Sequence, residues 1–429
     1  MAVDPRIAEN PRGFLAALFD VAVKAGNPLQ GIKAHLPRKP KGRVVVVGAG
    51  KASAQMAEAL EALWDGPLEG TVVSRHGTKA NLKSTQLMTS AHPVPDAAGL
   101  AASDHLLGLV QGLTKDDLVI ALISGGGSAL LPAPQAGLTL QDEIDLNTAL
   151  LKSGAPIAAM NAIRKHISRI KGGRLAAAAY PAKVVSFVVS DIPGDVLSLV
   201  SSGPTIADHV TLEDALAFIE KYDIVLTPKL LTFLNAAPAA PTPDDPVFAG
   251  HEVHLVASAK QSLMAAADHA RRLGLPVHVL SDAIEGESHE VAKMHAAMAN
   301  FAKTDGQPFK PPCVIISGGE TTVTIGSGGA GKGGRNGEFA LSFALGIAGR
   351  GGIHCLADDS DGIDGSENNA GAFADGRTVD RILAKKLDPA AFLKGHDSWT
   401  ALSAAGDLFV TGQTGTNVND LRAILLLPD

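Results

Sequence analysis

Cysteine is nearly absent from this chain of 429 residues, which has only Cys313 and Cys355, each set inside an apolar run (CVIISG and IHCLAD). A buried structural thiol is the plainer reading of both, and a reducing cytoplasm suits them. Aromatic residues make up only 4% of the chain, so platforms for stacking nucleic-acid bases are not expected. Basic residues are not in excess either. The net charge of −7 lacks the positive footprint that a DNA or RNA partner calls for. No apolar run reaches transmembrane length. The start, MAVDPRIAENPRGFLAALFD, carries Asp4 and Glu9 ahead of a short amphipathic pattern, without the basic opening and apolar centre of a secretory signal. A cytoplasmic protein with neither membrane nor nucleic-acid partner is the expectation.

What is abundant is glycine, at 46 residues, beside 46% hydrophobic and 19% charged residues. That balance gives ample core and excludes long disordered regions. The length favours two domains. From residue 43 onward, β-branched apolar runs alternate with helical patterns: RVVVVG, TVVSR, LMTSA, LVIALISGG and VVSFVVSDI. Strands apolar on both faces between helices imply a mostly parallel sheet covered on both sides. The stretch NAAPAAPTPDDPV, residues 235–247, reads as a linker. A second series follows: HEVHLVAS, a helix from about Lys260 to Leu273, PVHVLSD, a helix from His289 to Phe301, CVIISGGE, TVTIG, a helix from about Asn336, IHCLADDSDG and LRAILLLP. Both halves look doubly wound, so the fold class is α/β with domains at 1–240 and 247–429. In such sheets ligands bind beyond the carboxyl ends of the strands.

The polar clusters fall there. Gly48-Ala49-Gly50-Lys51-Ala52-Ser53 closes the first strand and opens a helix, where free backbone N–H groups and a mobile lysine can meet an anion. A dinucleotide fingerprint would need a third glycine where Ser53 stands, and a ribose-binding carboxylate where the next strand has Arg75. Ser124-Gly125-Gly126-Gly127-Ser128 leaves a second run of backbone uncrowded by side chains. His92, in SAHPVPD, is a pocket-lining candidate. Asp191, in SDIPGD, can bind Mg²⁺ or accept a hydroxyl proton, and SSGPT follows at residues 201–205.

Residues 317–338, SGGETTVTIGSGGAGKGGRNGE, include a GxxxxGK match at 326–333, but Gly333 stands where a Walker A loop needs Ser or Thr. The match is read as a decoy. Arg335, at a helix N-terminus, is the residue expected to meet phosphates, ahead of Lys332. ADDSDGIDG, residues 357–365, is dense in carboxylates but lacks the closing Glu of a calcium loop; Mg²⁺ or nucleotide contacts and a solvated acidic turn both remain open. The segment GQTGTNVND, residues 412–420, can serve a nucleotide or be a loop.

Taken in order, GAGKAS, SGGGSALL, SDIPGD, SSGPT, SGGETTV, GGRNGE, ADDSDGIDG and TGTNVND resemble the class II glycerate kinases, a family that also carried the older label hydroxypyruvate reductase. The resemblance covers nearly the whole chain. It implies D-glycerate 2-kinase activity, in which ATP and D-glycerate give 2-phosphoglycerate and ADP with Mg²⁺. It also implies an N-terminal Rossmann-like domain and a C-terminal α/β domain with the active site in the cleft between them. Lys51 falls on the lysine of the family's GAGK motif and Arg335 on the arginine of its GGRN motif, both for phosphate and substrate contact. On this reading Lys51, Arg335 and Asp191 are catalytic, and Gly50, Ser53, His92 and Ser124 through Ser128 (with Gly125, Gly126 and Gly127) bind glycerate. The nucleotide meets Gly318, Gly319, Glu320, Gly334, Asn336, Glu338, Asp361 and Asn417, and the metal is held by Asp191, Asp361 or Asp364. An inventory of glycines, cations and acids without a nucleophile suits phosphoryl transfer, where positioning and electrostatics dominate. The alternatives are an NAD(P)-dependent hydroxypyruvate reductase and a sugar-phosphate-binding regulatory protein. Oligomeric state is open, with a homodimer among the options.

Overall fold

The computed structural model describes residues 4–325, 329 and 331–428. Gly326, Ser327, Gly328 and Ala330, in the glycine-rich stretch before Arg335, lie outside the described residues. Two compact units emerge: Pro28–Val256, and Met1–Asn27 together with Ala257–Asp429.

The first unit is built on strands β1 (Val44–Ala49), β2 (Glu69–Arg75), β3 (Gln86–Ser90), β4 (Leu118–Ser124), β5 (Lys183–Ser190) and β6 (Glu252–Ser258) in the order β3-β2-β1-β4-β5-β6. The pairs β1–β2, β1–β4, β2–β3 and β4–β5 are parallel. All of β1 and β4 is buried, which explains why both read as unbroken apolar runs. Val45, Val47, Val119, Ala121 and Ile123 pack with Ala102 and Leu106 of the helix Ala97–Leu109 on one face. Helices from residues 140–167 and 212–234 enclose a separate small core around Leu146, Leu150, Ile163 and Leu230. Two of them start on capping boxes, Thr139 with Asp142 and Thr211 with Asp214.

The second unit carries β7 (Val277–Val279), β8 (Cys313–Gly319), β9 (Ile353–Asp359), β10 (Gly371–Asp375), β11 (Leu408–Phe409) and β12 (Asp420–Leu426), ordered β11-β10-β9-β12-β8-β7. Doubly wound parallel pairing was expected here, and the structure corrects it. Only β7–β8 is parallel; β12 lies antiparallel between β8 and β9, and β10 is antiparallel to both β9 and β11. The cause of the misreading is burial on both faces. Ile315, Cys355 and Ile424 meet Phe339 and Phe343 on one side, while Val314, Leu356 and Leu425 meet Phe14, Leu15 and Leu18 on the other. Continuous hydrophobicity reports two covered faces, not strand direction. TVTIG forms no strand among the described residues, with Thr322 making only an isolated bridge to Glu287.

The division expected at 1–240 and 247–429 differs from these units at both ends. The helix Pro11–Gly26 packs on the helix Ala259–Arg272, with Ser262 Oγ donating to Ala22 O at 2.8 Å, so the N-terminus belongs with the C-terminal half. Its apolar stripe foretold a buried face but not the partner. At the other end, β6 joins the first sheet beyond the linker. Cys313 and Cys355 are free and buried. No helix among the described residues is long and apolar enough to cross a membrane.

Candidate active site

In the first sheet the strand order reverses between β1 and β4, and the turns that follow these two strands lie side by side. Lys51 N donates to Gly125 O at 2.9 Å and Ala52 N to Ser124 Oγ at 2.9 Å. Gly50 has φ of +136°, and a Cβ there would fall 2.1 Å from Ser124 Oγ, so only glycine lets the turns approach. Ser53 Oγ donates to Gly50 O and Val73 O, both at 2.9 Å, and opens the helix Ser53–Leu63. The buried Ser53 and Ser124 thus build the turn rather than line its surface.

Around the second turn three expected residues converge. A methyl at Gly125 would stand 1.6 Å from Asp191 Oδ2, so the carboxylate at the end of β5 rests directly on this glycine. At Gly126, with φ of +85°, a Cβ would be 3.2 Å from His92 Nε2 and 3.2 Å from Lys51 Cγ. His92 is exposed and Lys51 half-buried. Gly127 N donates to Ser201 Oγ at 2.9 Å, and that hydroxyl in turn donates to Ser124 O. Ser128 Oγ lies 2.7 Å from Ser202 Oγ, which donates to Asn161 Oδ1 at 2.9 Å, and Arg164 Nη1 donates to the same oxygen at 3.1 Å. Burial pulls the Arg164 guanidinium down to about 10, partly offset by Glu143. Ser201 and Ser202 hold φ of 54° and 59°, a backbone state that non-glycine residues adopt at a cost. Asn161 and Arg164 were not singled out from sequence; one helical turn apart in MNAIRKH, they resemble any polar helix face.

The second unit gathers its polar residues at the adjoining ends of β8, β9 and β12. Arg335 opens the helix Arg335–Gly346, one residue before the expected start. Its guanidinium reaches Asp420 Oδ1 at 2.9 Å, Asp359 Oδ2 at 2.8 Å and Glu320 Oε1 at 3.1 Å. Burial works against its charge, but these three carboxylates prevail and hold it protonated more firmly than usual. Arg422 is fully buried, donates to Asp420 Oδ2 at 2.7 Å and lies 5.3 Å over the Phe339 ring. Asp358, also fully buried, has no hydrogen-bond partner on either oxygen among the described residues; burial, then the charges of Asp420 and Asp359, push its carboxyl well above the usual range.

The expected metal and nucleotide residues of this unit hold distinct positions. Asp364 accepts from Asn336 N at 2.9 Å and Gly337 N at 2.7 Å, so both its oxygens satisfy the first amides of the helix. Asp361 is half-buried and accepts from Ile363 N at 2.8 Å. Asn336 Nδ2 donates to Asp420 Oδ1 at 2.9 Å. Gly318 and Gly319 are the last residues of β8, and a Cβ on Gly319 would meet Ile284 N at 2.2 Å. Gly334 is the N-cap, its Cβ position 2.4 Å from Asp364 Oδ1. Glu320 is exposed, and Asn417 Oδ1 lies within its own loop, 3.4 Å from Asn419 N. Glu338 is buried and accepts from His289 Nδ1 at 3.3 Å and His396 Nδ1 at 2.9 Å.

Parallel strands with glycine turns and a lysine at the reversal point define the first unit as an α/β domain of the class whose ligands, when bound, lie beyond the strand ends. Comparison with known proteins narrows this. Residues 14–235 match a domain of unknown function (DUF4147), and residues 313–420 match the MOFRL family. A D-glycerate 2-kinase of Thermotoga maritima is 37% identical over 93% of this chain and 94% of its own length. The crystal structure of a glycerate kinase from Thermotoga maritima superposes with a TM-score of 0.86 at 35% identity, covering 98% of this chain and 100% of the other. An Agrobacterium vitis relative, 48% identical over 97% of this chain and 94% of its own, is labelled a hydroxypyruvate reductase. The chain belongs to the glycerate 2-kinase family.

Proposed function

We propose that this protein transfers the terminal phosphoryl group of ATP to the 2-hydroxyl of D-glycerate, giving 2-phosphoglycerate and ADP. The observation that carries the reading is the pair of turns after β1 and β4, where Lys51 and His92 flank Gly126 and Asp191 rests on Gly125. The strand order of the first sheet supports its Rossmann-like description, and the reversal between β1 and β4 is where such sheets bind ligands.

In this reading the glycine backbone after β4, with Ser128 and His92, holds the glycerate carboxylate and hydroxyls. The Lys51 ammonium neutralises charge on the phosphoryl group in flight. Asp191 accepts the proton of the attacking hydroxyl. The second unit serves the nucleotide, with Arg335 as its cation. Mg²⁺ is expected with ATP, and among the described residues no group of three or more His, Cys, Asp or Glu is arranged to hold a metal. Asp191, or else Asp361 of the second unit, is the residue that would hold it, since Asp364 spends both oxygens on backbone amides. Once bound, the ion would offset charge on the phosphates.

The reductase label of the Agrobacterium relative finds no support in the turn after β1, where Ser53 replaces the third glycine and β2 ends on Arg75. A reducing cytoplasm agrees with the two free buried thiols. An ADP-release assay with D-glycerate against L-glycerate, run beside NADH oxidation with hydroxypyruvate, tests the reading. Phosphorus NMR of the product decides the regiochemistry: a 3-phosphoglycerate signal rejects the 2-hydroxyl, and NADH loss without ADP rejects the kinase.

A further inference from the structure

A cavity of about 240 Å³ in the second unit is bordered by Val323, Ile325, Gly333, Gly334, Arg335 and His396. Glycines before a helix suggest a phosphate cradle, but five of the amides in this turn are already engaged. Gly331 N donates to Gly395 O at 3.1 Å, Lys332 N to Asp397 Oδ1 at 3.1 Å and Gly333 N to Ser366 Oγ at 3.2 Å. Asn336 N and Gly337 N are taken by Asp364. Val323 and Ile325, the latter a large apolar side chain left 54% exposed, give this space an apolar border.

His396 stands out in it. The residue sits between the helices Pro389–Lys394 and Ser398–Ala405 with φ of 50°. Its Nδ1 donates to the Glu338 carboxylate, which is only 3% exposed. A carboxylate is an acceptor only, so this contact fixes the Nδ1–H tautomer of the neutral ring and leaves the Nε2 lone pair for a ligand. Glu338, which the sequence suggested as a nucleotide contact, instead spends its oxygens on His396 and His289.

We infer that this cavity takes the purine base of the nucleotide, with His396 Nε2 accepting from the 6-amino group and Glu338 acting as the positioning residue behind it. The volume lies below the about 300–1,000 Å³ of sites for drug-sized ligands, so it suits one ring system rather than a whole nucleotide. A flat base covers the apolar wall, and an amino donor meets an acceptor that a phosphate oxygen would repel. His396 is thereby a specificity-determining residue for adenine over bases with a 6-oxo group. The inference rests on the kinase reading only in the identity of the nucleotide.

The test compares ATP with ITP as phosphoryl donor by kcat/KM at pH 8, and ADP with IDP by calorimetric binding, for the full chain and three variants. The unaltered protein should prefer the adenine nucleotide. His396→Ala should lose about tenfold of that preference, the size of one neutral hydrogen bond, through a higher KM for ATP while KM for glycerate holds. His396→Gln, which restores an acceptor, should recover part of it. Glu338→Leu should lose preference with His396 still present. An equal loss for both nucleotides, or an unchanged ratio in His396→Ala, overturns the inference, as does a protein that binds neither ADP nor IDP. Adenine-selective binding that depends on His396, without glycerate phosphorylation, would refute the reaction and retain the pocket.

Discussion

Asp191 Oδ2 lies where a methyl on Gly125 would have to be, 1.6 Å from the Cβ position, so the carboxylate ending β5 and the glycine after β4 occupy their places only together. Gly125→Ala should therefore destabilise the first unit by about 1–3 kcal/mol, the usual cost of overpacking. Adding Asp191→Ala should restore most of the unfolding midpoint in urea without restoring turnover. Full stability in Gly125→Ala alone would show that Asp191 swings away freely.

Lys51 flanks the same turn, half-buried, with its backbone amide tied to Gly125 O. Lys51→Met keeps the length and removes the charge. Turnover should fall by about 10²–10³, as when one donor to a developing charge is lost, while KM for glycerate moves little. The urea midpoint should hold. Near-normal turnover with a raised KM would make Lys51 a holder of the substrate carboxylate instead.

Lys332 and Arg335 separate in the same way. The Lys332 side chain is 57% exposed, its ammonium 3.7 Å from Glu367 and 4.9 Å over the Trp399 ring. Lys332→Ala should leave turnover within about twofold, since exposed ion pairs contribute little. Arg335→Ala strands Asp359 and Asp420 beside each other, so activity and stability should both fall, the latter by about 3–5 kcal/mol. Collapse at Lys332 with little change at Arg335 would reverse this assignment.

Asp364 distinguishes a helix cap from a metal ligand. Asp364→Asn turns one acceptor toward the helix into a donor, which should cost about 1–2 kcal/mol without changing the Mg²⁺ concentration for half-maximal activity. Burial raises its pKa from 3.8 to about 6 although Asn336 N and Gly337 N favour the charged form. The folded value lies above the unfolded one, so this contribution favours the native state most at low pH and is lost as pH rises from about 4 to about 6. Urea unfolding across that range should show the slope removed in the variant.

His295 provides the opposite sign. Fully buried, it donates from Nδ1 to Val291 O at 2.8 Å and accepts at Nε2 from Ser317 Oγ at 3.0 Å. Burial drives its pKa from 6.5 down to about 4. The unfolded chain protonates first, so stability should be lost as pH falls from about 6.5 to about 4, by on the order of 3 kcal/mol. Proton NMR of the native protein should show the His295 ring unchanged between pH 8 and 6, and His295→Gln should flatten the acid limb of the stability curve. A ring titrating near pH 6.5 would contradict its buried, neutral state.

Much of this was legible in the residues themselves. Unbroken runs such as VVVVGA and LVIALIS could satisfy their backbone and bury both faces only as central strands, and the glycine, serine and aspartate clusters after them could only be turns. Local sequence therefore determined strands β1 to β5 of the first sheet, the turns holding Lys51 and Gly125, and the start of the helix at Arg335 to within one residue, but not the membership of β6. It carried nothing on strand direction in the second sheet, because burial on two faces hides whether neighbours run parallel. Nor could it tell that the helix Pro11–Gly26 belongs with β9 and β12, since an apolar stripe fits any complementary face. The roles of the acids were decided by tertiary structure alone. Asp364 and Asp361 are three residues apart and identical in chemistry, yet one is sealed onto helix amides and the other left half-exposed, because what a carboxylate does depends on which donors the fold brings within about 3 Å of it.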